Sequence, residues 1–558
     1  MRERAAGERT RDDLTKSKRG GRQLAEQCDV IVIGSGHNGL TLACCLAKAG
    51  HRTLVLERLP YTGGGVTSCE PVPGFTFSLH AVNHNWMHIG PIREDLELER
   101  FGSKYVFPPV ICTHVFGDGR SLALHRDLEA TVSEIGKFSG NDAARYRDWI
   151  REHESTFEFI ARMLFSPPEA PSKVWGRLEE IAHGRRALRT WMMSIEDVAD
   201  ELFENECVKV WFINYALQTI QDPFAKGSGM VPISLLVNQH RSGGNSLAVG
   251  GSQSVTDALT AYLEAHGGEI RTGCHVSRIL IRGGRAKGVV LSDGTEIQAA
   301  RAVASNVEPK QVFQQMVDGD ELSREFADQV RGFRFSYFTI FGVHLALNAD
   351  PAYRASSDVP NQSFNVIMGR DTMDDIRREF YQLGIGEPPD PPGYMVLHPS
   401  RFDPSIAPPG KHVAILWQYA PCHLKGEGGN ERWDEIKEDY ADRCMDLFRG
   451  MTKNIDDGAI VDRFVYSPAD IARENISMVN GDMVSGRITQ DQMGIFRPFH
   501  GYPPYRTPIE GLYLCGPSTH PRGDCHGACG YNAAGAIAED LGIEPWWAGT
   551  EYAVLNPE

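Results

Sequence analysis

This 558-residue sequence predicts an α/β fold, α+β when taken whole. Three features point there: a strand–helix–strand pattern with a glycine-rich turn near the start, a strand–glycine loop–helix pattern near the end, and strand-rich blocks between. The first feature spans residues 28 to 66. Val30, Ile31, Val32 and Ile33 form a short β-branched run, as expected of a strand buried on both faces of a parallel sheet. Gly34 permits a sharp turn, Gly36 lets the backbone approach a pyrophosphate, and Gly39 lets the next helix pack against the strand. That helix turns its free N–H groups and positive dipole end towards the phosphates. A second strand over 54 to 56 ends at Glu57, 18 residues after Gly39, placed to accept from ribose hydroxyls. A carboxylate there repels a 2′-phosphate, which argues against NADP. The alternative, a glycine-rich structural turn, does not require all these spacings at once. A dinucleotide site, FAD or NAD, is predicted.

Composition narrows the class. Hydrophobic residues at 41% and charged residues at 23% are ordinary for a globular enzyme, and the length accommodates two or three domains. A net charge of −16 argues against a nucleic-acid partner, because phosphate binding needs a basic surface. The 12 cysteines are scattered, as in a reduced, cytoplasmic protein rather than a disulfide framework. No run reaches the length of a membrane span and no signal-peptide pattern appears. Residues 1 to 27 mix many Arg and Lys with Glu3, Glu8, Asp12, Asp13 and Glu26, and read as a disordered tail.

The remaining elements follow in order. Residues 28 to 90 form the first part of the dinucleotide-binding domain. Within them His80, His84 and His88 would share a face of a helix, which raises the question of a metal; no carboxylate or cysteine completes a ligand set, and none is predicted. Residues 91 to 240 lack strand rhythm and read as a helical substrate domain, with helical segments over 143 to 163 and 196 to 220 separated by Pro167, Pro168 and Pro223. Phe157, Ile160, Met163, Leu164, Phe165 and Trp175, edged by Arg177, Arg185 and Arg186, either pack in its core or make a peripheral contact with a membrane surface; core packing is the stronger reading. Residues 241 to 335 return to the dinucleotide domain. A helix carrying Val255, Leu259 and Leu263 ends at Gly267 and Gly268, and a β-meander over 269 to 305 turns at Asp293 and Gly294. Strand-like runs over 337 to 347, 394 to 397 and 412 to 419 make residues 336 to 480 the sheet of a substrate domain. Residues 481 to 545 complete the dinucleotide domain, and 546 to 558 form a C-terminal tail. In that last part a strand over 512 to 515 enters a glycine-rich loop and then an alanine-rich helix. The loop can lie flat on a planar ligand, and the helix N-terminus faces the charge a flavin gains near N1–C2 on reduction. An NAD site needs no such second element. FAD is therefore the predicted cofactor of a Rossmann-type domain.

Several motifs then carry a resemblance. They are Gly36-His-Asn-Gly39, Gly227-Ser-Gly229-Met230 before Gly243-Gly244, Asp491-Gln492-Met493, Arg497-Pro498, Thr507-Pro508-Ile509, and Leu514-Cys515-Gly516 with Thr519-His520-Pro521. From about residue 29 to 541 the chain resembles the phytoene-desaturase-like flavoproteins of the amine oxidase superfamily. Within them it is most similar to the branch holding desaturase-related β-carotene ketolases and the pyridine nucleotide-disulfide oxidoreductase domain-containing 2 proteins. The resemblance implies that Gly34, Gly36, Gly39 and Glu57 hold the ADP half of FAD. It places Arg58, Gly63, Gly64 and Gly65 along the pyrophosphate and ribityl chain, Val276 at the adenine, and Gly516, Gly523 and Gly530 at the flavin. It implies hydride transfer from a hydrophobic, isoprenoid or polyene small molecule to flavin N5, with quinone or dioxygen as the electron acceptor.

One stretch departs from the family. Where relatives read His-Pro-Gly-Gly-Gly, this chain has His520-Pro521-Arg522-Gly523-Asp524-Cys525-His526. Asp524 or His526 is a candidate base with the other as its orienting partner, and Arg522 is the adjacent cation. The competing reading is an Arg522–Asp524 pair bracing the loop while His526 packs. Two alternatives to the hydrophobic-substrate reading follow: an oxidase of a more polar amine or oxygenated ring, and a flavin-bearing interaction protein without turnover.

Overall fold

The computed structural model describes residues 26–547. Two seven-stranded sheets organise it. In the first, β1 (Glu26–Ile33) is central: it pairs in parallel with β2 (Thr53–Leu56) on one side and with Glu296–Ser305 on the other. The strands Val276–Arg282 and Arg285–Leu291 extend one edge, Glu269–Arg271 the other, and Leu512–Leu514 pairs in parallel with Glu296–Ser305. Val30 to Ile33 are all buried, which explains the unbroken apolar run. Helix α1 (His37–Lys48) packs on this sheet beside Gln253–Ala265 and the last helix, Ala528–Leu541.

The second sheet runs in the order Ile460–Tyr466, Phe338–Leu347, His412–Pro421, Tyr394–Leu397, Asn365–Met368, Val110–Val115, Ser121–His125. Its last two strands come from the stretch expected to be helical. All six residues of Val110–Val115 are buried, so no polar alternation marks the strand, and Thr113 and His114 break up its apolar character. One face of the sheet carries the core shared with the helical region and the other packs on Trp433–Met451.

Other boundaries also differ from expectation. Glu26 and Gln27, expected in the tail, pair with Ile297 and Gln298 as part of β1. At the other end Trp546 donates to the Cys45 carbonyl at 3.0 Å and Trp547 is buried; the rest of both expected tails lies outside the described residues. The segment expected as one helix over 143 to 163 is two, Gly140–Glu152 and Glu154–Leu164, which meet at His153. The next, over 196 to 220, divides into Ile195–Leu202 and Glu206–Ala216, because Asn205 caps the second and the buried Asp142 carboxylate accepts from the Glu204 and Asn205 N–H groups. Phe157 and Phe165 are buried, Phe157 stacked on Trp86, and Ile160 and Leu164 pack partly against the core; Met163 is half-buried, and Trp175 and Met192 are exposed. Among the described residues no helix is long and apolar enough to cross a membrane.

Candidate functional site

A cleft open to solvent runs between the two sheets. At one end it is walled by the turn after β1, by Glu57 and Arg58 after β2, and by Cys274, His275 and Val276. Glu57 is nearly buried and held from its own neighbourhood: Oε2 accepts from the Ser35 N–H at 2.8 Å and the Ser35 hydroxyl at 2.7 Å, and Oε1 from the Leu59 N–H at 2.8 Å. Strand geometry thus orients the carboxylate before any ligand arrives. Arg58 donates to the Glu474 carbonyl at 2.8 Å and ties this wall to the end of helix Pro468–Glu474, which follows the edge strand of the second sheet.

The fit to a dinucleotide is steric as well as polar. A Cβ at Gly36 would lie 2.5 Å from Asn306 Nδ2, and one at Gly39 would lie 2.4 Å from the Gly34 carbonyl. Gly64 comes so near the Gly36 Cα that a Cβ there would sit at 3.0 Å. Bare backbone therefore lines the turn, and α1 begins beside it with no side-chain cap and no acidic residue in its first turn, leaving N–H groups for an anion. Asn38 Oδ1 and Asn306 Oδ1 are buried without a protein partner, and both residues line the cleft. This donor and acceptor set fits the phosphates and ribose of FAD.

The glycines near the end of the chain divide into two groups. Gly523 lines the cleft. All three allow backbone to meet backbone, since a Cβ would lie 2.3 Å from the Val484 carbonyl at Gly523, 2.5 Å from the Asn306 carbonyl at Gly516 and 1.8 Å from the Asn38 carbonyl at Gly530, and Gly516 and Gly530 do not line the cleft. Gly63 likewise faces the Val66 carbonyl, whereas Gly64 and Gly65 line the cleft.

In the divergent loop, Arg522 Nη2 meets Asp524 Oδ2 at 3.2 Å and the Cys525 N–H donates to Asp524 Oδ1 at 2.8 Å. Asp524 and Cys525 line the cleft. His526 is fully buried: its Nδ1 accepts from the Ala528 N–H at 3.0 Å, and burial holds its imidazole well below the ordinary range. The expected Asp524–His526 pairing is therefore corrected, because Asp524 is oriented by Arg522 and by the loop backbone while His526 caps the last helix. Burial also pushes the Cys525 thiol far up, so no thiolate is available there.

The three histidines spaced by four do not share a helix. His84 bridges to Ser246 through its backbone, with its ring between the Tyr105 and Ser252 hydroxyls, and His80 reaches the Tyr466 hydroxyl. Among the described residues no cluster of three metal-ligating side chains occurs.

Beyond the loop the cleft opens into a recess that shares Asn83, Gln218, Ile220, Ile340 and Trp417 with it. Ile367, Met395 and Tyr419 complete its apolar wall, and Arg370 and Asn214 stand at its polar end. Sequence reading missed these residues, as it missed Asn306 and the segment 474 to 478. They come from separate strands and loops, and no local motif announces them.

The profile of the flavin containing amine oxidoreductases matches residues 194–538, and a NAD(P)-binding Rossmann-like domain matches 32–92. The chain belongs to the flavin-containing amine oxidoreductase family. It is an FAD-dependent oxidoreductase. It is 29% identical to a limonene dehydrogenase component from Castellaniella defragrans over 96% of this chain and 98% of that one. It is 28% identical to mouse (Mus musculus) pyridine nucleotide-disulfide oxidoreductase domain-containing protein 2, over 93% and 94%. A putrescine oxidase variant shares the fold at a TM-score of 0.60, with 13% identity over 92% of this chain and 98% of that one. Phytoene desaturases are also similar over most of their length, as the motifs implied.

For this flavoenzyme, Glu57→Arg is expected to lower FAD retention. The variant loses the three hydrogen bonds that the carboxylate accepts from Ser35 and Leu59 and puts a misfit cation into the cleft wall, an effect of about 3 kcal/mol. FAD released on denaturation, measured per protein, checks it; wild-type occupancy would remove Glu57 from the site.

Proposed function

We propose that this enzyme dehydrogenates a hydrophobic, isoprenoid-type small molecule, with quinone or dioxygen reoxidising the cofactor. One observation carries the reading: the recess joined to the cleft is walled by Ile220, Ile340, Ile367, Met395 and Trp417, which favours an apolar occupant and excludes water. The similarity to the limonene dehydrogenase component supports a terpene. When bound, FAD supplies a hydride acceptor at N5. The protein's own contribution is orientation: the Asn306 and Gly36 turn anchors the cofactor, and the apolar wall presents the substrate.

Asp524 on the cleft wall favours a second reading, a more polar amine or oxygenated ring whose O–H or N–H proton this carboxylate accepts. Anaerobic reduction of the bound flavin by limonene, linear terpenes, carotenoids, phenols and amines separates the two. Bleaching by terpenes and carotenoids alone is the expected result; bleaching by amines or phenols alone overturns it. In that second case Asp524→Asn slows reduction by about a hundredfold while FAD stays bound.

A further inference from the structure

Away from the divergent loop, a file of hydrogen-bonded side chains leads from the cleft wall to the surface. His80 lines the cleft, and its Nε2 lies 3.1 Å from the Tyr466 hydroxyl. The Tyr466 hydroxyl donates to Glu474 Oε2 at 3.0 Å, and the Tyr61 hydroxyl donates to Glu474 Oε1 at 2.7 Å. These roles settle the imidazole tautomer. A phenol has one proton, and that of Tyr466 is committed to Glu474, so His80 Nε2 is the donor and Nδ1 keeps its lone pair. Nδ1 is buried with no protein partner. His80 and Tyr466 are 7% and 3% exposed, so bulk water does not compete along the file. Glu474 is half-buried on the cleft rim, and Tyr61 beside it is 37% exposed.

We propose that His80, Tyr466 and Glu474 form a proton relay that carries the protons released in the cleft, by substrate oxidation and by reoxidation of the reduced flavin, to solvent, with Tyr61 holding the terminal carboxylate. The need for it follows from the chemistry. Removing two hydrogens from a substrate sends one, with two electrons, to the flavin as hydride and leaves one proton behind; when the reduced flavin gives those two electrons to the acceptor, the other hydrogen is freed as a proton in the same cleft. His80 Nδ1 takes either proton as the Nε2 proton passes to the Tyr466 oxygen and the Tyr466 proton passes to Glu474. Glu474 yields it to water, and a flip of the imidazole restores the starting tautomer.

The surroundings suit transfer rather than storage. Burial pushes the His80 imidazole down to about 4 despite the nearby Glu474, so it passes a proton on. His344, on the neighbouring strand, is pushed down to about 3 by burial, and the Cys69 thiol near Glu474 up to about 12; both stay neutral. Asp470, the other close carboxylate, is engaged by Lys437 and Arg473. The relay rests on the oxidoreductase chemistry and not on the identity of the substrate.

The test uses FAD-loaded protein, photoreduced without oxygen and then oxidised by ferricenium in weak buffer containing phenol red. Flavin absorbance and dye colour are followed together. In the wild type the proton should appear with flavin oxidation. In Tyr466→Phe and Glu474→Gln the proton should lag by about a hundredfold, with FAD content unchanged. A purely structural Tyr466 would alter FAD content or thermal stability without separating the two traces, and the half-exposed Glu474→Gln gives the reading if Tyr466→Phe folds poorly. Proton release at the wild-type rate in the variants overturns the relay. Because no organic substrate is used, that failure is distinct from failure of the terpene proposal.

Discussion

Gly530→Ala is expected to strip the protein of FAD and destabilise it by more than about 3 kcal/mol, the upper range for overpacking. The added methyl would fall 1.8 Å from the Asn38 carbonyl oxygen. Neither side can yield cheaply, because Gly530 lies in the last helix and Asn38 in the first turn of α1. Separating these helices also moves the glycine turn at Gly34 and Gly36 away from the loop at Gly523. The control lies in the same helix: a Cβ at Gly535 meets nothing within 4 Å, so Gly535→Ala should raise stability by up to about 1 kcal/mol. FAD content and thermal unfolding of the two variants make the comparison. Equal behaviour would show that the close approach of the helices is not what holds the site.

Arg370→Leu should destabilise the enzyme by about 3–5 kcal/mol, because it leaves Glu379 charged and buried without a counter-ion. Arg370 and Glu379 are 5% and 4% exposed in their side chains. Arg370 Nη2 donates to Glu379 Oε1 at 2.8 Å and to the Gly393 carbonyl at 2.7 Å, and the guanidinium lies 5.2 Å from the Tyr419 ring centre. Removing both charges together, as Arg370→Met with Glu379→Leu, should recover most of the loss, since apolar replacements of similar volume tolerate burial. Urea unfolding of the single and double variants is the measurement. A double variant no better than the single one would mean that packing of Arg370 against Tyr419, rather than its charge, carries the effect.

The readable parts of this chain are those whose chemistry is local. Gly34, Gly36, Gly39 and Glu57 lie within one strand–helix–strand unit, so spacing alone predicts that a carboxylate will stand beside a bare turn. The strand over 512 to 514 and the alanine-rich helix after it are equally local. Val110–Val115 is unreadable for a physical reason: a strand buried on both faces loses the period of two that marks an exposed one. It lies between the adjacent hairpin strand Ser121–His125 and a parallel partner, Asn365–Met368, about 250 residues away.

Residue order was enough to specify the dinucleotide turn, the choice of FAD and the family, because each rests on residue types at short fixed spacings and on backbone that must be free of side chains. Everything else waited for the folded chain. Asn306 reaches Gly36 only when the end of Glu296–Ser305 comes alongside β1, and the recess exists only because Ile220, Ile340 and Trp417 arrive from three separate elements. His80, Tyr466 and Glu474 join across 386 and 8 residues of chain. Asp524 and His526 are two residues apart in sequence, yet the folded loop sets one on the cleft wall and the other against the first turn of the last helix. Hydrogen bonds and packing contacts act over a few ångströms of space, so side chains distant in sequence meet only once the backbone has placed them.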